Sequence, residues 1–207
     1  SEFLYLGRDD YPSEDEQFIA YKSVLEKMPK KKVRTITNGY DCNWIRERMK
    51  EFPADRKAAG KIIANEQKII ITIGRMADQK GQWHLIRAFT KVLEKTPEST
   101  LLILGDGVLK EYLIELIQAY GLEKKVILAG YSDNPFWYLA NASVFVLSSL
   151  YEGYPNALAE AVCCGVPCIS TDMHSGAREI LAPGRDVLGE RVNSISEEEY
   201  GILIPVC

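Results

Sequence analysis

The sequence predicts a doubly wound α/β fold, in which helices cover both faces of a mostly parallel sheet. Short apolar, β-branched runs such as KIIITIG at 68–74 and TLLILG at 100–105 are typical of strands that are buried on both faces. Segments with helical spacing separate these runs, and strand and helix alternate at least five times. The 207 residues are enough for one large domain, or for one domain and a fragment of another.

A short strand and a helix are predicted before the first strand–helix unit of the sheet. VRTIT at 33–37 is rich in β-branched residues and runs into the turn NGYD, which predicts a short strand. Residues 43–52 are predicted to be helical. The first buried strand, 68–74, ends in a glycine, and the helix at 81–95 follows it with apolar residues at helical spacing.

The later elements repeat this pattern. The predicted strands are 100–105, 125–130, 143–149, 167–170 and 200–206, and the predicted helices are 109–120, a segment near 133–141, one from about 156 and a short one near 176. In doubly wound sheets, ligands bind beyond the carboxyl ends of the strands. The loops that follow residues 73, 105, 130, 148 and 170 are therefore the candidate sites.

The domain organisation is predicted from changes in composition along the chain. Residues 1–34 are charged and irregular and are interpreted as the tail of another domain and a linker, whereas 35–207 form the α/β domain. The segment APGRDVLGERVNSISEEE at 182–199 is longer than usual for a connection between a helix and a strand. It is predicted to be an exposed insertion.

Charge and cysteine content argue against several classes of protein. The net charge of −4 gives no general support for nucleic-acid binding, and no run of eighteen apolar residues predicts a membrane span. The first residues lack the basic and apolar regions of a signal peptide. The five cysteines fit neither a zinc ribbon nor a disulfide framework, so we expect reduced, buried cysteines in a cytoplasmic protein.

Two cations follow the first buried strand, in GRMADQKG. Arg75 comes directly after Gly74, and Lys80 precedes the helix at 81–95. A cation at a helix N-terminus is mildly unfavourable unless an anion also binds there, in which case the helix amides and both cations favour the anion. The alternative is a pair of solvated loop cations.

The loop GDGVLK after the second strand resembles a dinucleotide-binding fingerprint, G-x-G-x-x-G. Lys110 occupies the position of the third glycine, and Asp106 would place a negative charge where a pyrophosphate binds. We therefore predict a tight turn here and no NAD site.

The segment SSLYEGYPN after the strand at 143–149 leads into a helix that contains an acid. Asn156 is expected to cap this helix, and its first amides could bind an anion or sugar oxygens. Glu160 lies about one turn in, where Ala157, Leu158, Ala161 and Val162 are expected to pack inward. An unpaired carboxylate there is costly, and a ribose diol would supply two donors. A backbone amide or an arginine is the alternative partner.

Several motifs together resemble the retaining glycosyltransferases of the GT-B fold, the large group that includes sucrose synthase-like and bacterial polysaccharide enzymes. NGYD and GRMADQKG resemble the Asn-Gly-x-Asp and Gly-Arg…Lys-Gly segments of that family, and GDG resembles the turn after its next strand. EGYPNALAE matches its Glu-x7-Glu motif, and TDMHSGAREI resembles its Gly-Gly-x-x-Glu segment, with Ser175 in place of the first glycine. The resemblance covers roughly residues 35 to 206 and implies a Rossmann-like, C-terminal, donor-binding domain.

The resemblance implies transfer of a sugar from a UDP-sugar, less often a GDP-sugar, to an acceptor hydroxyl with retention of configuration. Arg75 and Lys80 would hold the diphosphate and stabilise its departure without a metal or other cofactor, and Glu152 would face the donor sugar. Glu160 would bind the ribose hydroxyls. The donor would also contact a further set of residues: Gly74, Gly130, Tyr131, Gly153, Tyr154, Pro155 and Asn156.

The resemblance also implies partners. The acceptor would be a saccharide or a lipid-linked saccharide, the enzyme would be cytoplasmic and peripheral at the inner face of the membrane, and an N-terminal domain would complete the active site. This chain alone would then be inactive. Two alternatives remain open at this point: a sugar-nucleotide epimerase of the same fold, and a non-catalytic module that binds sugar nucleotides.

Overall fold

The structure of the protein is a computed structural model, and it describes residues 38–54, 60, 68–173, 176–187 and 189–206. The strand predicted at 33–37 and the tail predicted at 1–34 lie outside the described residues. Tyr40–Cys207 form one compact unit.

Within the described residues, seven strands form one sheet in the order β3-β2-β1-β4-β5-β7-β6. They are β1 (Ile69–Ile73), β2 (Thr100–Leu104), β3 (Val126–Gly130), β4 (Val144–Leu147), β5 (Cys168–Thr171), β6 (Ser196–Glu198) and β7 (Gly201–Ile204). Neighbouring strands are parallel except β6 and β7, which are antiparallel. The strand order reverses between β1 and β4, and this switch point is where such sheets bind ligands.

Helices cover both faces of the sheet. In the part of the chain that the structure describes, they are α1 (Cys42–Arg48), α2 (Gln82–Lys95), α3 (Lys110–Ala119), α4 (Pro135–Ala140), α5 (Asn156–Cys163) and α6 (Gly176–Leu181). Leu101 of β2 packs in one apolar cluster with Ile86 of α2, whereas its neighbour Leu102 packs in a second cluster with Leu158 of α5. Because successive side chains of a strand point to opposite faces, a strand between two layers of helix is apolar throughout.

This architecture confirms the predicted fold class, and most predicted elements lie within a few residues of the observed ones. The helix predicted at 43–52 is shorter and ends at Arg48. Pro53 disfavours a helical conformation at the residue before it. The Asn134 amide donates to the carbonyls of Arg48 and Glu51, at 2.8 and 2.6 Å, which satisfies acceptors that the helix end leaves unpaired.

The described part of the segment 182–199 is largely exposed and is anchored at both ends. Its last residues form β6, an edge strand that no sequence pattern predicted. Near its start, the fully buried Arg178 of α6 donates to the carbonyls of Asp186, Gly189 and Glu190 at 2.6–2.8 Å. Arg178 also forms a two-bond ion pair with the fully buried Asp172, at 2.6 and 2.7 Å.

Candidate functional site

The loops that follow β1 and β4 meet at the switch point, because these two strands are neighbours in the sheet. The Leu150 amide donates to the carbonyl of Gln79 at 2.8 Å. The hydroxyl of Ser148 donates to the carbonyl of Lys80 at 2.9 Å. These bonds hold the loop that carries the predicted cations against the loop that carries Glu152.

Gly81 allows the close approach of these two loops. Its φ of 56° lies in the left-handed region, and a Cβ added there would lie 2.4 Å from the carbonyl oxygen of Ser148. Only glycine meets both requirements. The glycine of the Lys-Gly pair therefore has a structural role in bringing Lys80 to the second loop.

Lys80 and Glu152 form an ion pair at the centre of this contact, with 2.5 Å between Nζ and Oε1. The same carboxylate accepts hydrogen bonds from the Ser149 hydroxyl at 2.8 Å and the Gln79 amide at 3.2 Å. The side chains of Lys80 and Glu152 are only 19% and 9% exposed. The structure thus brings together two of the predicted catalytic residues, and Lys80, Ser149 and Gln79 all donate to Glu152.

Arg75 lies in the same loop and is exposed. No ion pair or hydrogen bond joins its guanidinium to another residue that the structure describes. Its backbone is fixed, because the side chain of the buried Gln82 donates to the Arg75 carbonyl at 3.1 Å. The aliphatic part of Lys80 packs over Gly74, where an added Cβ would lie 3.1 Å from Lys80 Cε.

The Tyr154–Asn156 segment leads into α5. Pro155 is the N-cap residue and α5 has no side-chain cap, so the expectation that Asn156 caps the helix is wrong. Asn156 is the first helical residue, and its Oδ1 accepts a hydrogen bond of 2.6 Å from the hydroxyl of Tyr40. Gly153 precedes this segment, and its carbonyl accepts from the Gly176 amide at 3.2 Å.

Gly176 at the start of α6 supports the same segment. A Cβ added there would lie 2.7 Å from Pro155 Cδ and 2.9 Å from Tyr154 Cδ2. This contact explains why the second glycine of the Gly-Gly-x-x-Glu-like segment is present, whereas Ser175 lies outside the described residues.

Glu160 lies one turn into α5 and is half-buried. Desolvation by burial raises the pKa of its carboxyl. Within the described part of the chain, no hydrogen bond or ion pair joins this carboxylate to another residue. An acid that is partly desolvated and has no such partner is suited to bind donors from a ligand.

The packing of α5 differs in part from the prediction. Leu158 and Ala161 are buried as expected, but Ala157 and Val162 are only partly buried, and Ala159 is buried instead. The helix is therefore covered by neighbouring elements on more than one side, whereas the prediction assumed a single apolar face.

The loops after β2 and β3 lie farther along the same edge of the sheet. In the GDG turn, Asp106 accepts from the Gly107 amide and pairs with Lys110, at 2.8 and 2.9 Å. Its carboxylate thus occupies a donor that a pyrophosphate would need, in agreement with the predicted tight turn. Beyond it, Gly130 has a φ of 75°, and Tyr131 is 83% exposed at the end of β3.

Sequence reasoning missed three residues that organise this site: Tyr40, Gln79 and Ser149. Tyr40 and Gln79 contact residues about 70 to 116 positions away in the sequence, and Ser149 contacts Glu152 within a single turn. No local sequence pattern predicts these contacts. Among the described residues, no cluster of three or more His, Cys, Asp or Glu side chains is arranged to hold a metal ion.

The fold and the site together define an α/β protein with a charged ligand site at the switch point of its sheet. The family model described as glycosyl transferases group 1 matches residues 54–197. The chain belongs to this family of glycosyltransferases.

Curated relatives agree with this assignment. An uncharacterized glycosyltransferase of Methanocaldococcus jannaschii is 40% identical over 185 residues, which is 88% of this chain and 45% of the relative. A 4-α-N-acetylgalactosaminyltransferase of Campylobacter jejuni is 37% identical over 144 residues, which is 70% of this chain and 35% of the relative. The chain thus spans less than half the length of these two relatives.

Solved structures share the fold. Anabaena HepE in complex with UDP matches 79% of this chain and 44% of its own, with a TM-score of 0.63 and 23% identity. WaaG, a glycosyltransferase involved in lipopolysaccharide biosynthesis, matches 80% of this chain and 45% of its own, with a TM-score of 0.63 and 18% identity. These neighbours are GT-B glycosyltransferases, which confirms the fold that the motifs suggested. No helix in the described residues has the length and apolar character needed to span a bilayer.

Proposed function

We propose that this chain is the donor-binding half of a retaining glycosyltransferase that transfers a sugar from a UDP-sugar to an acceptor hydroxyl. The main support for the proposal is the ion pair between Lys80 and Glu152 at the switch point, in the same loop region as the exposed Arg75. The acceptor is a saccharide or a lipid-linked saccharide. The enzyme would act in the cytoplasm at the inner face of the membrane, and a further N-terminal domain would provide the other wall of the active site.

Names of relatives support these substrates. The Campylobacter relative is named as a transferase for a saccharide on diphospho-undecaprenol, and its name specifies an α product. A Bacillus subtilis relative, 29% identical over 147 residues, is named an α-glucosyltransferase. If the donor is also α-linked, as UDP-glucose is, an α product requires retention. UDP is present in the HepE complex, which supports UDP as the carrier.

The two cations suit the chemistry of the leaving group. When the bond from the sugar to the diphosphate breaks, negative charge develops on the terminal phosphate of UDP. A lysine has three N–H donors, so Lys80 can keep Glu152 as one partner and offer the others to phosphate oxygens. No described residue pairs with the Arg75 guanidinium, so binding a phosphate would not require it to break such a contact. Positioned cations of this kind supply the stabilisation that a metal supplies in other enzymes.

Glu160 would bind the ribose, and Glu152 would face the sugar. Two ribose hydroxyls can both donate to one carboxylate, and the half-buried Glu160 has no donor among the described residues. Glu152 would orient Lys80 and accept from a sugar hydroxyl. The remaining donor contacts would come from Gly74, Gly130 and Tyr131, and from the segment 153–156 around the start of α5.

The proposed transfer can be tested by incubating a panel of radiolabelled UDP- and GDP-sugars with acceptors, using the full-length enzyme that contains this chain. We expect transfer by that enzyme and only binding by the 207-residue chain. Positioning across a two-walled cleft contributes many kcal/mol to a rate, so one wall should not suffice. Epimerised free nucleotide sugar, or binding without transfer by the full-length enzyme, would contradict the proposal.

Binding of UDP is expected to be independent of metal ions. The diphosphate charge would be balanced by Arg75, Lys80 and the N-terminal amides of the adjacent helices. Calorimetry in EDTA should give the same affinity as calorimetry with added Mg²⁺ or Mn²⁺, within about twofold. A loss of ten-fold or more on chelation would show that a cation takes part.

The affinity for UDP-glucose is expected to fall in acid, because Glu160 must be ionised to accept two hydroxyl donors. Burial raises the pKa of Glu160 in the free protein, whereas donated hydrogen bonds would lower it in the complex. Binding then expels a proton, so affinity is full above the raised pKa and is lost as the pH falls through it. UDP-glucose is the suitable ligand, because its diphosphate has no phosphomonoester group that titrates near pH 6.

The control for this measurement is Glu160→Gln, whose side chain does not titrate. Its affinity for UDP-glucose should change much less between pH 7.5 and pH 5 than that of the wild type. Parallel pH profiles for the two proteins would assign the titration to another group.

A further inference from the structure

The thiols of Cys42 and Cys163 are in direct contact. The distance between their Sγ atoms is 2.6 Å, although 121 residues separate them in the sequence. Cys42 is the first residue of α1 and Cys163 is the last residue of α5. Both are free thiols and only half-buried, which departs from the expectation of buried cysteines that act as small hydrophobes.

Two ordered elements hold this pair in place. Tyr40, two residues before Cys42, donates to Asn156 at the first turn of α5 and stacks on Tyr154, with ring centroids 6.4 Å apart. The stretch from Tyr40 to Cys42 thus contacts α5 at its first residue and at its last. The α1 residue Ile45 is 3% exposed and belongs to the same core as α5. The contact therefore depends on helix packing and not on the chance orientation of two surface side chains.

The other described cysteines are placed differently. Cys164 is adjacent to Cys163, but its thiol forms no hydrogen bond with another described residue. Cys168 is buried in β5 and directs its thiol to the Val166 carbonyl at 3.1 Å. Cys164 is thus a control for Cys163 that has nearly the same position in the chain.

We propose that Cys42 and Cys163 form a site of thiol–disulfide exchange, which reacts with a low-molecular-weight disulfide and closes as an intramolecular disulfide. The Cys42 thiolate attacks one sulfur of the reagent, the reagent's S–S bond breaks, and one thiolate leaves. The Cys163 thiolate then attacks Cys42 Sγ in the mixed disulfide and expels the second thiolate. Two cysteines lose two electrons and two protons, and one reagent disulfide becomes two thiols.

The order of attack follows from the environment of Cys163. Burial and, to a smaller extent, the neighbouring Cys42 thiol together raise the pKa of the Cys163 thiol to about 12. The thiolate is the reacting form, so Cys163 is a poor first nucleophile near neutral pH. Once the mixed disulfide holds the two sulfurs together, proximity compensates for the small thiolate fraction. The closing step is therefore expected to limit the rate.

The protein with the Cys42–Cys163 disulfide should keep the native fold. A disulfide needs an S–S distance of about 2.05 Å, so the sulfurs move by only a fraction of an ångström from their present contact. The bridge encloses a long loop that contains β1–β4, and bridges across long loops constrain the unfolded chain most. We expect the melting temperature to rise by several degrees up to roughly 10 °C. The affinity for UDP should change by less than about threefold.

The test is oxidation of the reduced 207-residue protein with oxidised glutathione at pH 8.5, followed by alkylation and tryptic mapping without reductant. Trypsin cuts after Arg34 and Arg46, so Cys42 is alone in peptide 35–46, whereas Cys163, Cys164 and Cys168 share peptide 126–178. We expect these two peptides to be linked in the wild type and in Cys164→Ser. The link should be absent from Cys42→Ser and from Cys163→Ser.

A wild-type protein that shows only glutathione adducts, or no linked peptides, would overturn the proposal. So would a link that persists in Cys163→Ser, because Cys164 or Cys168 would then be the partner. A melting temperature that falls on oxidation would show that the bridge strains the fold and would overturn the native geometry argued above. The bridge does not depend on the proposed function: failure of both reduced and oxidised protein to bind UDP would contradict that function alone.

Discussion

Replacing Arg178 by Met is expected to destabilise the protein by about 3–5 kcal/mol, the range for removing one partner of a buried ion pair. Asp172 would be left ionised or protonated at 0% exposure without its two-bond partner. The carbonyls of Asp186, Gly189 and Glu190 would each lose the hydrogen bond from Arg178 at the same time. For a protein of this size, the melting temperature should fall by roughly 6–20 °C.

A matched control for this change is Arg185→Met. Arg185 pairs with Glu198 at 2.7 Å in the same region, but its side chain is 37% exposed. Partly exposed pairs contribute about 0–1 kcal/mol, so this variant should unfold close to the wild-type temperature. Equal effects of the two substitutions would show that burial of the Arg178 pair is not what stabilises the segment 182–199.

The same pair gives a defined pH dependence. Burial alone would raise the pKa of Asp172, but hydrogen bonds from Arg178 and from the Val192 amide outweigh it, so the pKa lies below its ordinary 3.8. The unfolded chain therefore binds the proton more readily than the folded protein. The contribution of Asp172 to stability is complete above that ordinary value, and it is lost as the pH falls towards the lowered pKa.

Replacing Lys80 by Ala is expected to weaken UDP binding by roughly 1.5–3 kcal/mol, or about 10- to 150-fold, as for the loss of a charge-assisted hydrogen bond. Arg75→Ala should weaken binding by a similar amount. The two variants should differ in stability because, among the described residues, Lys80 has an ion-pair partner and Arg75 does not. Without Lys80, the Glu152 carboxylate at 9% exposure loses its charged partner and keeps the Ser149 and Gln79 donors, so Lys80→Ala should also lower the melting temperature.

The double variant Lys80→Ala/Glu152→Gln separates the two effects. It also removes the negative charge that Lys80 balances, so it should recover part of the lost stability without recovering UDP affinity. Calorimetry and thermal unfolding on the four proteins would test this. Unchanged affinity in both Arg75→Ala and Lys80→Ala would contradict the diphosphate assignment, and unchanged stability in Lys80→Ala would show that the ion pair contributes little.

Sequence patterns were sufficient for the fold because each buried strand is a continuous apolar run and each long helix has a clear spacing. They also placed Arg75, Lys80 and Glu152 in the loops that follow the carboxyl ends of β1 and β4. They could not show that Lys80 pairs with Glu152, since that contact depends on β1 lying beside β4, and strand order is a property of the whole sheet.

Other features were missed for related reasons. The burial of Arg178 was not predicted, because arginine is rarely buried unless partners from several elements are present together. The contact of Cys42 with Cys163 spans 121 residues and has no spacing signature. Asn156 was expected to cap α5, but Pro155 occupies that position and the Asn156 side chain accepts from Tyr40 instead.

The most direct test of the central claim compares UDP with 2′-deoxy-UDP, by calorimetry, on the wild type and Glu160→Gln. If Glu160 accepts from the ribose diol, the wild type should prefer UDP, and Glu160→Gln should lose on the order of 1–2 kcal/mol of UDP affinity together with most of that preference. Its melting temperature should stay the same or rise slightly, because burial disfavours the charge that is removed. Equal affinity of the wild type for the two nucleotides, with a melting temperature several degrees lower in Glu160→Gln, would instead make Glu160 a structural residue and contradict the claim.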